Sequence, residues 1–178
     1  MLFRSYGRTA RVLHWFIGIL FLAQFAFGWW LTEIPRNTPA RGYFVNFHKS
    51  TGIILGLLIL FRLYWRLKHS APQPPATLAR WQQKMANANH VLLYVCMVVM
   101  PISGYIASNF SRFGVKFFNV MLFPPWGPDH KLIYTVFNQI HKTTALILLA
   151  LLFMHLSAAI WHGLHRDGIF HRIWLRPF

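Results

Sequence analysis

Residues 140–162 read IHKTTALILLALLFMHLSAAIWH, a run whose only Lys, Arg, Asp or Glu is Lys142. A stretch of this length and character suits a helix crossing a bilayer. Two histidines interrupt it, His141 and His155, fourteen residues apart. At 100° and 1.5 Å per residue, both rings leave the helix within about 40° of the same face, at depths about 21 Å apart. An imidazole in hydrocarbon is costly and faces the bundle interior with a partner, so two on one face mark a functional site.

Composition agrees with a membrane setting. Of 178 residues, 56% are hydrophobic, 17% aromatic and only 12% charged, against roughly 25% charged in soluble domains. No linker or internal repeat divides the chain, and residues 1–178 read as one all-α membrane domain. The formal charge of +15 comes from 18 Lys and Arg against 3 Asp and Glu. Beside such apolar runs, anionic lipid is the expected counterpart of that charge and nucleic acid is not. The single cysteine, Cys96, lies in an apolar run and reads as a small buried hydrophobe.

Four spans are expected, at about 12–31, 47–67, 90–107 and 140–162. The first is broken only by His14 and Gln24. Its length, the bulky Trp29–Trp30 end and the lack of a small-residue cleavage site mark it as retained rather than a signal peptide. Pro101 inside the third predicts a kink. Between spans, Ala71–Pro75 (APQPP) reads as a stiff turn and Trp81–Asn89 as an amphipathic run on the membrane surface. Phe110–Tyr134, containing FPPWGP, reads as a long loop.

Four spans place both termini on one side. That face collects Arg4, Arg8, Arg11, Arg62, Arg66, Lys68, Arg80, Lys84, Arg166, Arg172 and Arg176; the other collects Arg36, Arg41, Lys49, Arg112, Lys116, Lys131 and Lys142. The larger count predicts cytoplasmic termini by the positive-inside rule.

This topology pairs the histidines by depth. His48 opens the second span from the outside, level with His141; His14 lies near the inner end of the first, level with His155. Each pair joins two helices, as axial ligands on opposite faces of a porphyrin must. Two haems with imidazole ligands are therefore expected, and six-coordinate iron suits electron transfer. Four residues after each histidine, on the same face, stands a small residue where a flat macrocycle could pack: Gly18, Gly52, Ala145 and Ala159. The same offset from His90 and His162 meets Tyr94 and Arg166. His90 and His162, with Arg62, Arg66 or Arg80, are candidates to contact a quinone head group or haem propionates at the inner end. His69, His130, His165 and His171 fall in loops or tails and carry no expected role.

The segments RVLHWFIG (11–18), NFHKSTGIILGLLILFRLYWR (46–66), NHVLLYVCMVVMPISGYIAS (89–108) and HKTTALILLALLFMHLSAAIWH (141–162) resemble the bacterial cytochrome b561 family. Those proteins are four-helix, di-haem b cytochromes of the inner membrane, and the resemblance covers nearly the whole chain. It implies that His14, His48, His141 and His155 are the iron ligands. Because the family includes a superoxide oxidase, it also implies electron transfer from superoxide, or another small anionic donor, to ubiquinone. The chain departs from the family pattern at His141-Lys142, where members often carry His-Glu, and at His162-Gly163, where they carry paired histidines.

The outer cations, against Glu33 and Asp129, would draw an anion, whether superoxide or an acidic periplasmic redox partner. Two other readings stand beside this one. A membrane-anchor cytochrome relaying electrons for a dehydrogenase or hydrogenase would usually carry a fifth helix. A haem-free transporter of protons or metal would be expected to use intramembrane carboxylates, which are scarce here.

Overall fold

The computed structural model describes residues 6–69, 72 and 78–174. Arg4, Arg176 and the Ala71–Pro75 turn, apart from Pro72, lie outside them. Four helices follow in order: α1 (Arg8–Trp30), α2 (Pro39–Lys68), α3 (Arg80–Asn109) and α4 (Lys131–Leu164). All four are long and apolar enough to cross a membrane. A short hairpin, β1 (Val115–Phe117) and β2 (Met121–Phe123), joins α3 to α4.

The helices outrun the expected spans. α2 and α3 have 30 residues each and α4 has 34, so α4 is about 51 Å long against a hydrocarbon thickness of about 30 Å. Residues 81–89 are thus the first turns of α3 rather than a separate surface run. Hydropathy senses only the lipid-facing stretch, whereas a helix satisfies its own backbone and continues into water. The end of α3 is tied by Gln82 Oε1, which accepts from the Ala79 amide at 2.9 Å. Pro101 sits inside α3, which remains one helix.

The α1–α2 turn is held by the side chains of Thr38 and Arg41. Thr38 caps α2, with Pro39 at its first position, and Arg41 donates to the carbonyls of Leu31 (2.6 Å) and Ile34 (2.5 Å). Carbonyls at a helix C-terminus lack intrahelical donors and favour a cation there.

Packing is sequential: α1 lies on α2, α2 on α3, and α3 most extensively on α4. At the α2–α3 contact a Cβ on Gly56 would come within 3.2 Å of Pro101. The core is a single cluster of Ile17, Phe21, Leu55, Ile59, Leu93, Cys96, Leu148 and Leu151. Most other large apolar side chains face outward along the helices, Ile19, Leu57, Val91 and Phe153 among them. In water such exposure would be prohibitive; in lipid it costs nothing.

The 110–134 stretch is more ordered than a loop. The hairpin is pinned to the first turns of α2: the Phe118 amide donates to Ser50 Oγ (2.8 Å), Lys49 Nζ to the Gly114 carbonyl (2.8 Å) and Asn119 Nδ2 to the Tyr43 carbonyl (3.0 Å). Its tip takes left-handed backbone at Phe118 (φ 46°) and Asn119 (φ 61°). At the opposite end of the bundle, the segment after α4 returns to the start of α1. Tyr6 N donates to the Arg172 carbonyl (3.1 Å), Arg11 Nη1 to that of Trp174 (2.8 Å) and Trp15 Nε1 to that of Ile173 (3.0 Å). Both ends of the described chain therefore lie on one side.

Candidate functional site

The four spaced histidines converge in two pairs. His48 of α2 and His141 of α4 stand 6.4 Å apart between ring centroids, with planes at 88°. His14 of α1 and His155 of α4 stand 6.0 Å apart at 66°. Leu148, in the core, is seven residues from each α4 histidine, so apolar side chains separate the two levels. Two imidazoles on opposite sides of one iron, each bonded at about 2 Å, would place their centroids about 6 Å apart. Both pairs have that separation.

Their surroundings suit ligation. His141 Nδ1 donates to the Met100 carbonyl at 2.8 Å, which leaves Nε2 with the free lone pair, the arrangement typical of metal-bound histidine. His48 Nδ1 is buried and makes no hydrogen bond among the described residues, so that ring has an uncommitted nitrogen. Each outer ring also rests on a glycine of a neighbouring helix. A Cβ on Gly28 of α1 would lie 2.9 Å from His48 Cε1, and one on Gly104 of α3 would lie 2.9 Å from His141 Nδ1. The donor set and its clearances fit haem at the outer level, and the ring separation fits one at the inner level.

The inner pair sits among charges. Arg62 Nη2 donates to His14 Nδ1 (2.9 Å), and its Nε to the Tyr94 hydroxyl (3.0 Å). Arg66 lies over the Tyr94 ring at 5.3 Å. His90 approaches His155, with centroids 5.5 Å apart. Three of the residues expected near a quinone or propionate, His90, Arg62 and Arg66, are thus grouped around the inner pair. The other two stand apart. His162 Nδ1 bonds the Asp167 carboxylate, and Arg80 is exposed at the start of α3. An open cavity lies at the residue after His162, lined by Gly163, Arg166, Phe170, His171 and Trp174.

The small residues behave unequally. A Cβ on Gly18 would touch nothing, and Ala145 and Ala159 are half-buried. Gly52 does not offer open space: Gln24 Nε2 lies 3.4 Å from where its Cβ would be. An i+4 rule sees one helix and cannot register a side chain arriving from another. The roles of Gly28, Gly104 and the Met100 carbonyl, and Tyr94's bond to Arg62, are not legible in one helix for the same reason, since they depend on how helices are rotated against each other.

A family model described as prokaryotic cytochrome b561 matches residues 5–175. The chain belongs to that family. The cytochrome is 27% identical over 165 residues to cytochrome b561 homolog 1 of Escherichia coli (strain K12), covering 88% of this chain and 89% of the relative. To cytochrome b561 homolog 2 of the same organism it is 29% identical over 104 residues, covering 58% and 55%. It is a multi-pass membrane cytochrome of b type, an electron-transfer protein, and its family implies haem b.

Proposed function

We propose that the cytochrome holds two haems b and carries electrons across the bacterial inner membrane from superoxide, or another small anionic donor, to ubiquinone. The observation that carries this reading is the pairing itself: four histidines from three helices at two levels, each pair about 6 Å across. His48 and His141 would hold the outer haem, and His14 and His155 the inner one. Bound there, the two groups supply one-electron transfer between the faces of the membrane.

The chain's own part is ligation, insulation and charge. Met100 orients His141 through its carbonyl, and Arg62 places a cation beside His14. The apolar core keeps water from the space between the levels. The outer cations raise the encounter rate of an anionic donor. At the inner end His90, Arg62 and Arg66 surround the inner pair, and His162, bonded to Asp167, directly precedes Gly163 of an open cavity where a quinone head could take up protons. Anionic lipid on the cytoplasmic leaflet would meet the basic inner rim, with both termini on that side. An acidic periplasmic protein is the other donor the outer charge would suit.

A reduced-minus-oxidised absorbance spectrum of the purified protein tests the cofactor; absence of b-type bands would refute the proposal. With haem present, addition of superoxide and ubiquinone should give quinol in proportion to superoxide consumed. Quinol formed only on addition of a protein donor would replace superoxide with a partner.

A further inference from the structure

Gln24 interrupts the first span in mid-membrane, and the functional reading above leaves it without a task. A primary amide there is costly unless its groups are satisfied. Here they are. Gln24 Nε2 donates to the His48 carbonyl at 2.7 Å, and Gln24 Oε1 accepts from Thr51 Oγ1 at 2.7 Å. Thr51 has one hydroxyl proton and three acceptors in reach; the Gln24 contact is shorter than those to Phe47 (2.9 Å) and His48 (3.1 Å). The two contacts together fix which end of the amide is which. One turn further along the same face of α1 comes Gly28. Its missing side chain makes room for the His48 ring, whose Cε1 would lie 2.9 Å from a Cβ there.

His48 needs this support more than its partner does. A metal-bound imidazole usually takes its orientation from a hydrogen bond on the nitrogen that does not bind metal. His141 has one, to Met100, whereas His48 Nδ1 is buried with none among the described residues. Its ring angle must be set by packing and by the grip on its backbone, and α1 contributes to both through Phe27, Gly28 and Gln24.

We infer that Gln24 and Gly28 are positioning residues for His48, and that α1 through them sets the orientation of one axial ligand of the outer haem. This rests on the haem reading above. The two residues act on the outer site only, although α1 also carries His14 of the inner pair. The 88° between the His48 and His141 planes is what they maintain. The relative angle of two axial imidazoles governs the anisotropy of a low-spin ferric haem and contributes to its potential, so a turned ring is directly readable.

The test uses the full chain purified with haem, as wild type and as Gln24→Leu, Gly28→Ala and Thr51→Val. Low-temperature electron paramagnetic resonance and a redox titration resolve the two haems, and His14→Ala assigns the inner one. Gln24→Leu and Gly28→Ala should each move the outer haem's low-spin signal and midpoint potential while the inner haem's stay put. Thr51→Val, the mildest change, should move the same signal less. Unchanged outer signals in the variants that fold, or equal shifts at both haems, would overturn the assignment. Thr51→Val keeps it testable should the other two fail to assemble. Wild-type protein free of haem would instead remove the haem reading itself.

Discussion

A methyl group at residue 104 would stand 2.9 Å from Nδ1 of His141, the nitrogen that donates to Met100. Gly104→Ala should therefore turn the ring and break that bond, at a cost of about 1–3 kcal/mol for leaving the part-buried His141 Nδ1–H unpaired, since the Met100 carbonyl keeps Ser103 Oγ as a donor. The expected outcome is a fall in the haem-to-protein ratio, with the outer haem lost first on detergent dialysis. Removing a ligand outright is the sharper comparison. His48→Ala or His141→Ala should each abolish one b-type haem and spare the other, halving the pyridine-haemochrome yield; retention of both would refute the pairing. The histidines were legible because 3.6-residue periodicity and membrane depth can be worked out from one chain at a time. Gly28, Gly104 and Gln24 were not, since the roles of Gly28 and Gly104 exist only where one helix meets a ring on another, and the amide of Gln24 reads as an interruption until its partner on α2 is known.

At the level of elements, the apolar centre of each helix could be read directly, but the ends could not. The polar first turns of α3 carry no hydropathy signal, those of α2 and α4 mix polar with apolar residues, and caps such as Thr38 and His130 do not reveal how far a helix projects into water. The β1–β2 hairpin was hidden for another reason. Three-residue strands are too short to show alternation, and the left-handed Phe118 is a position the chain adopts only because Ser50 and Tyr43 receive the tip. Its base depends on Gly114, at φ 57°, where a Cβ would lie 2.7 Å from the Phe123 carbonyl oxygen. Gly114→Ala should loosen the hairpin by about 1–3 kcal/mol. Limited proteolysis should then cut within 113–126 severalfold faster, while the inner haem's spectrum is unaltered. Equal cleavage of mutant and wild type would show that the hairpin tolerates the clash.

For the whole molecule, the fold class followed from four apolar runs and scarce charge, and the side-by-side termini from an even number of spans. Charge distribution also makes two predictions. If the outer cations steer an anionic donor, reduction by superoxide should slow severalfold as salt is raised from about 10 to 150 mM, where the screening length drops from about 30 to 8 Å. A rate indifferent to salt would leave the field without a part in encounter. If the more basic rim faces the cytoplasm, a phosphatase fused after residue 178 should be inactive and one inserted near Asn119 active; the reverse pattern would invert the molecule.

α4 supplies one histidine to each level, His141 and His155, and their partners lie on α1 and α2. Neither pair can close until the fourth helix has left the ribosome and entered the bilayer. A nascent chain holding α1 to α3 presents only half-sites, with single imidazoles facing lipid or one another. If the pairs hold haem as proposed, loading of both sites is a late event in biogenesis, and failure to insert α4 leaves the cell with a protein that can acquire neither.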